Sequence, residues 1–199
     1  MVPETLHARL RDYQHFGFQW LKTLAHYRLG GILADDMGLG KTLQAITYLL
    51  SEKADETRKA KTSLIVVPAS LVYNWKSEFE KYAPDLDVAV VYGTPEERGE
   101  CLRDRTPDVF ITSYPLLRHD LELYESMEFD SLILDEAQAI KNHLTKTASA
   151  VKTIKAGKRF ALSGTPIENS LDELWSIFEA VLPGFFQNQR SSRIYLSLK

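Results

Sequence analysis

The chain has 199 residues, 44% hydrophobic and 26% charged, with a formal net charge of −3. It is one large domain or at most two small ones with a core to bury, and it is no polycation, so a nucleic-acid contact has to be a local patch. A single cysteine, Cys101, excludes a disulfide framework; no histidine pair has zinc-site spacing, and no signal peptide or membrane-length apolar run is present, so no membrane partner is expected.

In chain order, Phe16, Trp20 and Leu24 predict the apolar face of a first helix. Short runs rich in Val, Ile and Leu follow at 32–34, 64–67, 88–92, 109–112, 132–134 and 160–162, as expected of strands buried on both faces of a parallel sheet. Leu71, Trp75 and Phe79, with Tyr82 beside them, give a second helical stripe and read as core. The charged stretches 51–62 and 95–107 read as solvated helix ends or loops, and Cys101 as an ordinary thiol there. Ser170 to Glu173 has the pattern of a capping box opening a helix through Leu174, Phe178 and Val181. Strands alternating with helices predict an α/β domain, mainly a parallel β-sheet with helices on both faces. The expected organisation is an N-terminal helical segment at 1–30, the main lobe at 31–186 and a tail at 187–199 without ordered structure.

Two motifs carry chemistry. After the first apolar run comes Asp35-Asp36-Met37-Gly38-Leu39-Gly40-Lys41-Thr42, a phosphate-binding loop with Asp35 where the usual pattern starts with Gly. Gly38 and Gly40 let backbone N–H groups close around phosphate oxygens, Lys41 reaches the β- and γ-phosphates, and the Thr42 hydroxyl joins an Mg²⁺ shell. The helix that follows points its N-terminus at the same anion. The second motif is the apolar run ending in Asp135-Glu136-Ala137-Gln138. Opposite a phosphate loop, the first acid is placed to hold Mg²⁺ and the second to position or deprotonate the attacking water. Taken alone, two acids at a strand end also suit a solvated turn.

Asp-Glu-Ala-Gln, followed by Ile140-Lys141-Asn142, resembles the second motif of the Swi/Snf-type DNA-dependent ATPases, helicase-like enzymes with paired RecA-like lobes. Other matches come in that family's order. Leu10-Arg11-Asp12-Tyr13-Gln14 resembles its opening segment, and the phosphate loop matches down to the departure at its first position. Val67-Pro68-Ala69-Ser70-Leu71 with Asn74-Trp75, then Ile111-Thr112-Ser113-Tyr114, resemble its nucleic-acid segments. Leu162-Ser163-Gly164-Thr165-Pro166 resembles its coupling motif. The resemblance covers roughly residues 10 to 186 and implies a RecA-like P-loop lobe using ATP and Mg²⁺.

By this resemblance Lys41, Asp135 and Glu136 are catalytic, Thr42 and Asp135 serve the metal, and Gln14, with Arg11, serves adenine. Ser70, Thr112 and Ser113 contact the DNA backbone, with helix capping as the alternative for Ser70, while Ser163, Gly164 and Thr165 couple nucleotide state to the rest of the engine. Lys76, Arg118, Lys141 and Lys146 add local positive charge or form solvated faces. The implied partners are double-stranded DNA and a C-terminal RecA-like lobe, whose arginines stabilise the transferred phosphoryl group. The expectation is therefore an N-terminal lobe that binds ATP but hydrolyses it poorly alone. Its location is cytoplasmic and nucleoid-associated in a bacterium or archaeon, nuclear in a eukaryote. Two other readings stay open: a docking module for nucleic acid or protein with no ATPase activity, and a P-loop ATPase or kinase unrelated to nucleic acid.

Overall fold

The structure is a computed structural model and describes residues 1–34, 40–55, 57–140, 145–164 and 171–183, without the side chains of 171–173. Helix α1 (Asp12–His26) leads into β1 (Gly31–Ala34), then α2 (Lys41–Lys53) and β2 (Ser63–Val67). A 3-10 turn at Ala69–Leu71 opens α3 (Val72–Tyr82), followed by β3 (Val88–Val90), α4 (Pro95–Asp104) and β4 (Val109–Ser113). The remainder runs α5 (Tyr114–His119), α6 (Leu121–Tyr124), β5 (Glu128–Leu134), a 3-10 turn at Ala137–Ile140, α7 (Lys146–Thr153), β6 (Lys155–Ser163) and α8 (Leu171–Val181).

The strands form one sheet in the order β1-β6-β5-β2-β4-β3, and every pairing is parallel. Successive side chains point to opposite faces, so β2 sends Ile65 and Val67 into one core and Leu64 and Val66 into the other. Residues from α1, α2 and α3 cover the first face; α4 to α8 cover the second. This is the expected three-layer α/β fold. Leu6, Phe18, Leu21 and Ala25 share a core with α2, so the N-terminal segment packs into the lobe.

Three expectations need correction. Phe16 is 71% exposed, and α1 buries Gln14, Gly17, Phe18, Leu21 and Ala25 instead. The reason is steric: a Cβ at Gly17 would fall 1.8 Å from Gln44 Oε1, so the glycine face is the one that fits against α2. Most of 95–107 is helix α4, started by Thr94, whose Oγ1 accepts from Glu97 N–H while the Glu97 carboxylate accepts from Thr94 N–H. Strands β5 and β6 begin before their apolar runs, at Glu128 and Lys155.

Those polar strand starts are held by tertiary charge pairing. Lys158 Nζ lies 2.5 Å from Glu52 Oε2 and 3.2 Å from Asp130 Oδ1, Lys22 Nζ lies 2.5 Å from Glu52 Oε1, and Arg58 reaches Asp130 at 3.4 Å. These groups line a cleft of about 460 Å³ at the amino ends of the strands. Arg159 is buried and donates to the carbonyls of Val151, Ile154 and Ala180, fastening the ends of α7 and α8; burial pushes its guanidinium down to about 10. Arg98 and Asp120 form a buried two-point ion pair at 2.5 and 2.7 Å, and Arg98 also donates to Gly93 O at 2.6 Å, where φ is +98°. Among the described residues no helix is long and apolar enough to cross a membrane.

Candidate functional site

The carboxyl ends of the strands form the rim where open α/β sheets bind ligands. Register brings them level: Ala34 pairs with Ser163, Leu134 with Ala161 and Val66, and Val67 with Ser113. The phosphate-loop residues Asp35, Asp36, Met37, Gly38 and Leu39 lie outside the described residues, as do Lys141 and Thr165. The loop's end is described. Gly40 takes φ +73° as the N-cap of α2, a left-handed backbone that glycine adopts without a Cβ penalty. Lys41 and Thr42 therefore occupy the first helical turn, where N–H groups lack intrahelical acceptors and the helix end is positive.

Gln14 belongs to the same corner. Its Oε1 accepts from Arg11 N–H at 3.0 Å, the side chain is 8% exposed, and a Cβ at Gly40 would fall 2.4 Å from its Nε2. Helix α1 thus delivers Gln14 to the end of the phosphate loop, while Arg11 is exposed at the N-cap.

Asp135 follows β5 directly, its N–H donating to Val66 O at 2.9 Å. Its carboxylate is 7% exposed and accepts from Trp75 Nε1–H on Oδ2 at 2.7 Å and from Glu136 N–H on Oδ1 at 2.9 Å. Tyr114 Oη donates to the Asp135 carbonyl at 2.6 Å. Burial pushes the Asp135 carboxyl above its ordinary value, against the pull of these hydrogen bonds and the Lys41 charge. Strand order brings the two motifs to one rim: β1, which precedes the phosphate loop, and β5, which precedes Asp135, flank β6. Glu136 has φ +47°, a strained conformation for a residue with a Cβ, and such strain concentrates at functional positions. Gln138 Nε2 donates to Glu136 Oε2, and Ser163 Oγ donates to Gln138 Oε1 at 3.3 Å. A chain of side chains therefore runs from the end of β6, where Gly164 is buried, to the acid pair of β5.

The donor set suits magnesium. A hydroxyl at Thr42 and a carboxylate at Asp135 are hard oxygen ligands, and Mg²⁺ takes one or two carboxylates plus phosphate and water rather than an all-protein cage. Among the described residues no group of three or more His, Cys, Asp or Glu could hold a metal ion.

The other half of the rim carries the segments read as nucleic-acid contacts. Ser70 is exposed on the turn before α3. Ser113 is buried and caps α5, accepting from Leu116 N–H at 3.4 Å, so its hydroxyl serves the fold. Thr112 needs correction: it is fully buried within β4, and its hydroxyl is turned into the sheet core, away from any surface that DNA could reach. Lys76 lies 3.4 Å from Glu80 one turn on; Arg118 and Lys146 are exposed. Cys101 is half-buried on α4, and burial raises its thiol above the ordinary value, which makes it a poor nucleophile.

Sequence reading missed Trp75 and Gln138 as site residues. The apolar stripe of α3 points Trp75 into the core, where it lies at 1% exposure. Its only further signal was its place in the segment after Ser70.

The SNF2-related domain family matches residues 13–195. Over 91% of its length the chain is 46% identical to an uncharacterized ATP-dependent helicase of Mycoplasma pneumoniae, covering 18% of that protein. It is 44% identical to the TATA-binding protein-associated factor MOT1 of Saccharomyces cerevisiae, over 95% of the chain and 11% of MOT1. Among solved structures it superposes on the Sulfolobus solfataricus SWI2/SNF2 ATPase core in complex with double-stranded DNA with TM-score 0.84 and 40% identity, over 92% of this chain and 38% of that one. The chain thus spans only a small part of these relatives. With its phosphate-loop helix, its acid pair and its RecA-like sheet, the chain belongs to the SNF2-related family of helicase-like ATPases and corresponds to their N-terminal lobe.

Proposed function

We propose that this lobe binds ATP with Mg²⁺ at the β1-β6-β5 end of the rim and works in a DNA-dependent ATPase that moves on duplex DNA and remodels protein–DNA complexes. The observation that carries this is that the left-handed Gly40 cap of α2, with Gln14 against it, and the buried Asp135 carboxylate lie at the carboxyl ends of β1 and β5, which flank β6. Lys41 binds the β- and γ-phosphates together with the backbone donors of the loop, Asp35 to Gly40. Thr42 and Asp135 hold Mg²⁺, which supplies positive charge to the phosphate oxygens. Glu136, held by Gln138, takes a proton from the attacking water. Gln14, with Arg11 nearby, reads the adenine edge, as a glutamine amide can both donate and accept. Ser163 with Gly164 and Thr165 passes the state of the site on through Gln138.

Ser70, exposed on the turn before α3, grips the DNA backbone. Backbone contacts of this kind carry no sequence information, as suits a motor indifferent to sequence. Hydrolysis at a full rate needs arginines from a second RecA-like lobe; such arginines are worth about 10³ to 10⁵ in rate in related phosphoryl transfers. This chain alone therefore binds Mg·ATP and turns it over poorly. The compartment follows the source, bacterial or archaeal nucleoid or eukaryotic nucleus.

The test is ATP turnover by the chain, with and without duplex DNA, beside Lys41→Ala and Glu136→Gln. Little turnover by folded protein that binds Mg·ATP, with binding weakened in Lys41→Ala and kept in Glu136→Gln, supports the reading. DNA-stimulated turnover by a verified monomer contradicts the need for a second lobe. Turnover indifferent to DNA and phosphorylation of an added acceptor would favour a kinase.

A further inference from the structure

Asp135, the residue after β5, is held by buried aromatic side chains from both segments on the other half of the rim, one on its carboxylate and one on its backbone carbonyl. Trp75 lies on α3, just past the turn that carries Ser70, and its indole N–H reaches Asp135 Oδ2 at 2.7 Å. Tyr114 follows Ser113 at the end of β4, and its hydroxyl reaches the Asp135 carbonyl at 2.6 Å. The residues are 60 and 21 positions from Asp135, so neither bond is a product of local chain geometry. Strand order allows the meeting, because β2 adjoins β5 and β4 adjoins β2.

We propose that Trp75 and Tyr114 are positioning residues that hold Asp135 in the orientation in which it takes Mg²⁺. This rests on the reading of the site as a Mg·ATP site. An ionised carboxylate has about four lone-pair directions, and Trp75 and Glu136 N–H take one on each oxygen. Each oxygen therefore keeps a direction for a cation, and the rotation of the group is fixed. The indole is a donor only and cannot reverse its role. It is also wedged: Trp75 is 1% exposed and packs on Phe79 with ring centroids 6.1 Å apart. Tyr114, 5% exposed, clamps the backbone from which the same carboxylate springs. Partners that orient a metal ligand in this way commonly change metal affinity by about 10- to 100-fold when removed.

The experiment is to measure the ATP affinity of this chain with Mg²⁺ and with EDTA, for the parent, Trp75→Phe and Tyr114→Phe. Phenylalanine keeps a ring in each place and removes only the donor. In the parent, Mg²⁺ tightens ATP binding. In Trp75→Phe that gain falls by about 10-fold while metal-free affinity stays the same. Equal weakening with and without metal, or an unchanged gain, would mean that Trp75 only fills the core and would overturn the proposal. Should Trp75→Phe fail to fold, Tyr114→Phe decides it by the same ratio: a reduced gain supports the clamp, and an unchanged gain in folded protein overturns it. A parent in which Mg²⁺ brings no gain would refute the Mg·ATP reading itself, and the clamp with it.

Discussion

Two carboxylates are buried at opposite ends of one sheet, Glu52 at 3% exposure and Asp135 at 7%, and they are treated in opposite ways. Burial pushes both upward. At Glu52 the ammonium groups of Lys158 and Lys22 outweigh it, and the carboxyl ends below its ordinary value. At Asp135 the close partners are the neutral N–H groups of Trp75 and Glu136, with Lys41 acting through its field, and the carboxyl stays above it. The amino end of the sheet thus neutralises its charge internally, which is how a fold keeps a buried ion. The carboxyl end holds a carboxylate by donors that orient it without cancelling its charge. Among the described residues such a group lacks full compensation, as fits the cation site proposed for it.

The contrast is broken most forcefully at the amino end. Lys158→Met leaves Glu52 and Asp130 short of a partner and should cost about 3 kcal/mol in chemical denaturation. Mg·ATP affinity should be unchanged in the folded fraction; a loss of affinity would mean the two ends are not separate. Lys41→Ala should do the reverse. Stability stays within about 0.5 kcal/mol, while ATP binding weakens by about 2 kcal/mol, or roughly 30-fold, in calorimetry.

The pH dependence of stability sharpens the same comparison. Because the folded Glu52 carboxyl lies below its ordinary value, the unfolded chain binds more protons in acid. Its contribution is complete above about pH 5 and is lost as pH falls through 4 and below. Asp135 has the opposite sign: the folded state holds the proton more tightly, so its ionisation lowers stability as pH rises through the window above about 4. In urea titrations across pH 3 to 6, Glu52→Gln should flatten the acid loss and Asp135→Asn should steepen it. The same slope change in both would end the contrast. The smallest effect concerns backbone strain: Glu136→Gly should raise stability by about 1 kcal/mol, since glycine accepts φ +47° without penalty. A loss would mean that the Gln138–Glu136 bond outweighs the strain.

The sheet was largely legible because all six of its strands contain short apolar runs, which in the four inner strands are the mark of burial on both faces. The polar starts of β5 and β6 were not, since Asp130, Lys158 and Arg159 are strand residues only by virtue of partners on other elements. On α1 two apolar faces overlap, and the choice between Phe16 and Phe18 was made by Gly17 against Gln44, a contact no periodicity reports. Helix α4 has little apolar period, though its Thr94-Pro95 start and Glu97 were a readable signal. At the site, Lys41, Asp135 and Glu136 stood out because phosphate chemistry demands those residue types in short motifs. Thr112 misled because a hydroxyl in a motif says nothing of which face it takes. The Trp75 bond, across 60 residues, could only be seen in the fold.

The central claim is that the carboxyl end of this sheet binds Mg·ATP through Lys41 while the charged amino end serves the fold alone. The most direct test is calorimetric titration of Mg·ATP into the parent chain, Lys41→Ala and Lys158→Met, each at a temperature where it is folded. The account predicts one binding event in the parent, an equal one in Lys158→Met and a loss of about 30-fold in Lys41→Ala. Binding that survives in Lys41→Ala and disappears in Lys158→Met would put the nucleotide at the other end of the sheet and contradict it.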